Sequence, residues 1–295
     1  MIDDAVTQVR VFNRTVTRRV GALDDHFLGR GRPLAESRLL FEIGLDGADV
    51  RDLRARLGLD SGYVSRMLRA LEQEDLVAIG PAPHDRRVRR ATLTGAGRRE
   101  YRALDGRSDA FAAGLLESLS EGQRTRLVAA MAEVTRLLTA AAVTIDVVDP
   151  AGDQARWCIR QYYVVLAERF AEGFDDAVIT QLDDADLQPP SGVFVVGSLD
   201  GRPVACGALR LYLRDVADIK RMWVSPDVRG LGLGRRLIGR LEQLAADMGC
   251  DSVRLETNRS LTEAITLYRS TGYTEVERFN DEPYAHHWFQ KRLVD

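Results

Sequence analysis

The stretch Val224-Ser225-Pro226-Asp227-Val228-Arg229-Gly230-Leu231-Gly232-Leu233-Gly234-Arg235-Arg236 decides how the second half of the chain reads. Ahead of it, Ala217 to Val224 carries Ile219, Met222, Trp223 and Val224, residues whose bulk suits a strand. Pro226 ends that strand, because it has no amide hydrogen to give a ladder. Behind it, Leu237, Leu241, Leu244 and Ala245 recur at helical spacing. Strand, turn, glycine loop and first helical turn are therefore predicted in that order. The three glycines fall where a helix leaves its first amides without intrahelical partners. With no Cβ in the way, those amides can close on a phosphate, the helix dipole adds positive charge, and Arg229 and Arg235 can hold the anion further out. The same glycines would also serve a plain tight connection beside a solvated arginine pair.

The spacing Arg229-x-x-Gly232-x-Gly234, directly after a strand ending in Val224-x-Pro226, is more specific. It resembles the acetyl-CoA pyrophosphate loop of the Gcn5-related N-acetyltransferases (GNAT). A dinucleotide-binding loop is excluded by context, since no acidic residue closes a second strand of a βαβ unit. A Walker loop is excluded because no Gly-Lys-Ser/Thr follows.

With 295 residues, the chain allows two ordinary domains. Its 45% hydrophobic and 29% charged content is that of a globular protein. No apolar run approaches a membrane span, and Met1-Ile2-Asp3-Asp4 does not open a secretory leader, so no membrane is expected and the expected location is the cytoplasm. Cys158, Cys206 and Cys250 lack metal-like spacing and read as reduced core residues. The net charge of −3 divides unevenly, +3 over residues 1–145 and −6 over 146–295. Every cation except Lys220 and Lys291 is arginine, so the placement of charge has to carry the argument rather than its abundance.

In the first half, residues 3–28 show helical periodicity through Val9, Phe12, Val16, Val20 and Leu23. Leu34–Leu45, Asp49–Gly58 and a helix capped by Asp60 or Ser61 and running to about Asp75 follow. Two short helices joined by a tight turn near Gly58-Leu59 make a helix-turn-helix. The outer face of the second carries Ser61, Tyr63, Ser65, Arg66 and Arg69, donors suited to base edges and phosphates. Leu76–Ile79 and Val88–Leu93 read as a hairpin bearing Arg86, Arg87, Arg89 and Arg90, a wing that can press along phosphates. Asp85-Arg86-Arg87 with Leu93-Thr94-x-x-Gly97, and Leu59-Asp60-Ser61-Gly62-Tyr63-Val64-Ser65-Arg66, resemble the wing and recognition helix of the MarR family over roughly residues 1–142. That resemblance implies double-stranded DNA as partner and a homodimer built from the first helix with Thr94–Leu116 and Ser120–Ala142. It also implies that Asp85 orients a wing arginine rather than touching DNA.

In the second half, Val143–Val148 reads as a strand, Gln154–Phe174 as an amphipathic helix and Asp175–Pro190 as an acidic loop near the substrate entrance. Gly192–Ser198 and Arg202–Tyr212 form a hairpin at Asp200-Gly201. After the glycine loop come a parallel strand Ser252–Thr257, a short helix with Ala264, Leu267 and Tyr268, and strands Tyr273–Phe279 and His286–Leu293. Asn258 and Ala264-x-x-Leu267-Tyr268-x-x-x-Gly272-Tyr273 resemble the closing motif of the GNAT family, so that resemblance spans roughly 143–295. The predicted fold class is α+β in two domains: residues 1–142, a mostly helical winged helix-turn-helix with a β-wing, and residues 143–295, an α/β GNAT fold with a mixed sheet.

Acetyl transfer from a thioester to an amine requires the thioester to be held, the amine deprotonated and the leaving sulfur protonated. The resemblance implies that the backbone of Met222, Trp223 and Val224 pairs with the pantetheine arm of acetyl-CoA, and that Arg229, Gly230, Leu231, Gly232, Leu233, Gly234 and Arg235 take its pyrophosphate. Asn258 would add a contact from the far wall. Tyr268 is the candidate acid, a neutral donor at pH 7, although an amphipathic helix would also use a tyrosine for packing. Asp218 and Glu256 are the candidate bases, and Glu256 would equally suit a structural pairing with arginine. Asn280, Tyr284 and His286 fall where the acceptor pocket is expected. His286 and His287 have no further ligands at metal spacing, so no metal is expected. Three functions compete: a DNA-binding regulator fused to an active N-acetyltransferase acting on an amine of a small molecule or peptide; a regulator whose second half senses acetyl-CoA or another ligand; and an acetyltransferase whose first half only dimerises. The glycine loop with Tyr268, and the serine- and arginine-bearing helix with its wing, favour the first.

Overall fold

The computed structural model describes residues 2–21, 27–83, 85–170, 173–175, 177–178, 182–213 and 215–293. The chain divides into two compact units, residues 1–131 and 132–295.

The first unit opens with helix α1 (Ile2–Arg19), followed by α2 (Leu34–Ile43), the two-residue strand β1 (Ala48–Asp49), α3 (Val50–Leu57), α4 (Ser61–Gln73), β2 (Val77–Pro81), β3 (Arg89–Leu93) and α5 (Gly95–Glu117). Helix α6 (Glu121–Ala142) follows. The expected first helix over 3–28 is shorter in the structure, and Leu23 lies outside the described residues. Asp60 caps α4, its side chain accepting from the Tyr63 amide at 2.9 Å. That cap fixes the start of the helix bearing Ser61, Tyr63, Ser65, Arg66 and Arg69, while Val64, Met67, Leu68 and Leu71 face the core. Thr94 caps α5 by accepting from the Gly97 amide at 3.0 Å. Gly97 is required by close approach, since a Cβ there would lie 1.9 Å from the Leu76 carbonyl oxygen. β1 was not foreseen: it is too short to carry a period, and it joins a three-stranded sheet in the order β1-β3-β2.

The second unit is built on one sheet. Its elements are β4 (Thr144–Val148), α7 (Asp153–Arg169), β5 (Gly192–Leu199), β6 (Arg202–Leu213), β7 (Val216–Val224), α8 (Leu233–Asp247), β8 (Ser252–Thr257), α9 (Thr262–Ser270), β9 (Thr274–Val276) and β10 (His287–Arg292). The strand order is β4-β5-β6-β7-β8-β10-β9, and only the β7–β8 pair is parallel. Leu237, Ile238 and Leu241 of α8 are buried on one side of the sheet with Val253, Leu255 and Phe289. Each such side chain contributes about 1.5–3 kcal/mol by leaving water. Ala155, Cys158 and Ile159 of α7 form a separate cluster with Phe194, Cys206 and Trp223. All three cysteines are free and buried. The expected helix through Phe174 ends at Arg169, and the expected strand over Tyr273–Phe279 is only Thr274–Val276.

Two irregularities of β7 open the site. β7 pairs with β8 only at Val216↔Ser252, Ala217↔Val253 and Asp218↔Arg254. Beyond that register Lys220, Arg221 and Met222 line a cavity together with Leu255, Glu256 and Asn258. On the other edge, Trp223 faces Cys206 and Lys220 faces Ala208, a bulge that leaves Arg221 and Met222 opposite Gly207. Arg221 sits at φ 53°, a left-handed conformation that a non-glycine residue adopts only when its surroundings hold it there.

Candidate active site and nucleic-acid interface

The glycine loop ends at Gly232, which caps α8 at φ 73°. A side chain placed on Gly232 or Gly230 would meet nothing within 4 Å, so open space lies over the first amides of α8. Those amides have no intrahelical partner, and the dipole of the 15-residue helix points its positive end at them. This cradle fits a pyrophosphate. Val224, Arg229, Gly230, Gly232, Gly234 and Arg235 line a cavity of about 470 Å³. Met222, Trp223 and Leu233 line it as well, while Leu231 packs toward the hydrophobic core. Arg229 Nε donates to the Val224 carbonyl at 3.2 Å, and Arg235 donates to the carbonyl and hydroxyl of Ser270 at 3.2 and 3.1 Å. Arg136, near the end of α6, donates to the Gly230 carbonyl at 2.7 Å and steadies the loop from behind. Arg169 of α7 and Glu263 of α9, both lining the same cavity, form a bidentate pair at 2.7 and 2.9 Å.

A second cavity, of about 130 Å³, shares Tyr162, Met222, Ala264 and Tyr268 with the first. Tyr268 thus stands where the two meet. Its ring packs on Tyr273 and Phe289 at 5.9 and 5.8 Å between centroids. Burial, then the nearby Glu256 carboxylate, raises its hydroxyl well above the ordinary phenol range, and burial raises Tyr162 in the same way. Packing on Tyr273 and Phe289 therefore does not remove Tyr268 from the cleft.

Glu256 reaches the smaller cavity from β8. One carboxylate oxygen is ion-paired with Lys220 and the other accepts from Asn280 Nδ2 at 3.1 Å. Asn280 Oδ1 in turn accepts from Trp288 Nε1 at 2.9 Å, so Asn280 holds Glu256 from behind rather than lining the cavity. Asp218, the other candidate base, is 4% exposed and bonded to Arg254 Nε at 2.6 Å, away from the cavity. Shut from the cleft, Asp218 has no access to an amine bound there, so of the two candidate bases the geometry favours Glu256. Asn258 lines the smaller cavity, but its side chain is engaged with the Tyr284 carbonyl at 2.8 Å and with Ser260. Tyr284 lines that cavity too. His286 does not: its side chain is exposed, and its backbone amide continues the sheet to Thr257. Lys220 and Arg221, both in the cavity, are functional candidates that spacing did not single out. The available signal was Lys220 itself, one of two lysines in the chain.

On the first unit, Ser61, Tyr63, Arg66 and Arg69 are exposed and Ser65 half-buried along α4, with the Arg66 guanidinium 5.6 Å from the Tyr63 ring. Arg86, Arg87 and Arg89 are exposed on the wing, and Asp85 accepts from the Arg87 backbone amide at 2.9 Å. Arg90 belongs to another category. It donates to Asp49 Oδ1 at 2.9 Å and to the carbonyls of Asp46 and Gly47, pinning β3 to β1. The wing therefore presents three arginines outward, not four.

Residues 156–273 match the family model described as acetyltransferase (GNAT) family, and residues 30–88 match the MarR family. An IAA acetyltransferase of Azospirillum brasilense is 36% identical over 105 residues, which is 35% of this chain and 67% of that protein. An uncharacterized N-acetyltransferase of Schizosaccharomyces pombe is 32% identical over 97 residues, 32% of this chain and 60% of that one. Among solved structures, a GNAT-family acetyltransferase from Elizabethkingia anophelis with acetyl-CoA bound aligns at 16% identity and a TM-score of 0.38, covering 51% of this chain and 98% of that one. No helix among the described residues is long and apolar enough to cross a membrane.

Proposed function

The chain belongs to the GNAT acetyltransferase family and carries a MarR-family region ahead of it, and from that premise we propose that it is an acetyl-CoA-dependent N-acetyltransferase fused to a dimeric DNA-binding regulator. Residues 143–295 are assigned to acetyl transfer and residues 1–142 to DNA. One observation carries the catalytic reading: the cavity over the glycine cradle shares Tyr268 with a smaller cavity that Glu256 lines.

When bound, acetyl-CoA supplies the acetyl group as a thioester. The amides of Leu233, Gly234 and Arg235 would hold its pyrophosphate, and the β7 edge from Met222 to Val224, unpaired on the β8 side, would align the pantetheine arm. Glu256 takes a proton from the acceptor amine, directly or through a water, and Lys220 and Asn280 keep its carboxylate in place. Tyr268 would supply its hydroxyl proton to the departing sulfur. Its raised pKa keeps it protonated across the working range, and a neutral donor adds no charge to a closed site. A site that only sensed acetyl-CoA would not require an acid and a carboxylate converging beyond the cradle.

In the DNA-binding half, α4 would enter the major groove with Arg66 and Arg69, and Arg86, Arg87 and Arg89 would follow phosphates. Val9, Phe12 and Val16, the apolar stripe of α1, are 57%, 44% and 39% exposed, which fits a helix completed by a second copy. Release of coenzyme A in the presence of an amine panel tests the enzyme. Enrichment of a near-palindromic duplex from a random pool tests the regulator.

A further inference from the structure

The smaller cavity carries three chemistries in separate places. Its apolar side is aromatic: Phe170, Phe174 and Tyr284 pack in a triangle with centroid distances of 5.7, 5.3 and 5.4 Å. Its acidic groups are Glu256, whose charge acts on Tyr268, and Glu282. Its cations are Lys220, which is spent on Glu256, and Arg221, which has no carboxylate partner among the described residues. The Arg221 guanidinium lies 5.9 Å from the Tyr163 ring, and the β7 bulge holds its backbone in the left-handed region. Strain of that kind persists where the fold over-determines a side chain's position. Lining the cavity, the half-buried Arg221 offers the planar, charge-assisted donor pair that a carboxylate takes.

We propose that the acceptor is a free α-amino acid with an aromatic or branched aliphatic side chain, its carboxylate bound by Arg221 and its amine presented to Glu256. At about 130 Å³ the cavity is of the order of one that accepts a single benzene-sized ring, about 150 Å³, which suits one apolar side chain against the aromatic side. The acetylation itself balances simply: the amine nitrogen forms an amide bond to the acetyl carbon, the carbon–sulfur bond breaks, Glu256 receives the amine proton and Tyr268 protonates the sulfur. This assignment rests on the acetyl-transfer reading above.

Steady-state kinetics of the full chain with acetyl-CoA and four acceptors test it: L-phenylalanine, L-phenylalaninamide, phenethylamine and L-lysine. L-phenylalanine should exceed its amide and phenethylamine in kcat/KM by roughly 10–100-fold, the worth of one charge-assisted contact. In Arg221→Gln that ratio should collapse toward unity, with the loss concentrated in the KM for L-phenylalanine. Equal use of acid, amide and amine overturns the proposal, as does an Arg221→Gln variant that lowers all acceptors in proportion. Preference for L-lysine overturns the aromatic side of it. If acetyl-CoA binds by calorimetry but none of the four is acetylated, the acceptor assignment is wrong while the cofactor site stands. Absence of acetyl-CoA binding removes the parent reading instead.

Discussion

Glu256 and Lys220 form an ion pair across the gap where β8 and β7 stop pairing, and it faces the cleft rather than the core. Two residues earlier on each strand, Asp218 and Arg254 form a second pair with the charges reversed. The two pairs have different consequences. The first leaves a carboxylate beside the Tyr268 hydroxyl, whereas the second is buried sheet structure. Glu256→Gln should therefore lower kcat by roughly 10²–10⁴-fold at unchanged acetyl-CoA affinity. Asp218→Asn should show instead as a loss of melting temperature, because it removes a buried ion pair with Arg254. Rate and thermal-shift measurements on both variants separate these outcomes.

Tyr268 should set no limit on activity below about pH 10, because burial and the Glu256 charge both raise its pKa above that ordinary value. The neutral phenol is present at low and neutral pH and is lost only as pH rises past its raised value. A pH–rate profile of kcat should thus lack an alkaline limb assignable to Tyr268 up to pH 10. A limb near pH 8 that disappears in Tyr268→Phe would contradict the placement.

How much of this was legible in the sequence depends on the range of the contact. The glycine loop, its strand and α8 are local patterns: the strand runs Val216–Val224 against an expected Ala217–Val224, and α8 starts at Leu233 within the glycine loop. The cap of α4 at Asp60 and that of α5 at Thr94 are likewise four-residue signals. The Lys220–Glu256 and Asp218–Arg254 pairs join residues 36 apart, through a parallel register that no period encodes. Arg90 looked like its wing neighbours because nothing local shows that Asp49, 41 residues earlier, would claim it. His286 looked like a pocket residue because spacing places the strand, but not which face the side chain takes at its edge.

The wing should divide by function. Arg87→Ala should weaken all duplexes alike and flatten the salt dependence by about one unit of slope. Arg66→Ala or Arg69→Ala should cost about 1–3 kcal/mol at one base position wherever a bidentate contact is lost. Arg90→Ala should instead lower thermal stability, since it removes the ties to Asp49, Asp46 and Gly47. Fluorescence anisotropy in a salt series, with melting curves alongside, distinguishes the three.

Glu100, 8% exposed on α5, accepts from Arg30 Nε at 3.0 Å and lies 3.5 Å from Arg32 Nε. The hydrogen bond from Arg30 holds its carboxyl below the ordinary range, against the opposing effect of burial. A depressed folded pKa contributes stability that is present above the ordinary value near 4.3 and is lost as pH falls through the folded value. Glu100→Gln should cost about 1.5–3 kcal/mol at pH 7 and show a smaller stability difference from wild type near pH 3. Chemical denaturation at the two pH values measures it.

The central claim is that the cradle before α8 holds acetyl-CoA for transfer beside Tyr268, and acceptor-dependent coenzyme A release tests it most directly when paired with acetyl-CoA calorimetry on the same preparations. Wild type should bind and turn over. Gly232→Val should stay folded by circular dichroism, since the side chain enters open space at a backbone cost of about 1–2 kcal/mol, yet should lose acetyl-CoA binding. Tyr268→Phe should bind acetyl-CoA as wild type does and turn over roughly 10²–10⁴-fold more slowly. Undiminished affinity in folded Gly232→Val, or wild-type turnover in Tyr268→Phe, would contradict the account.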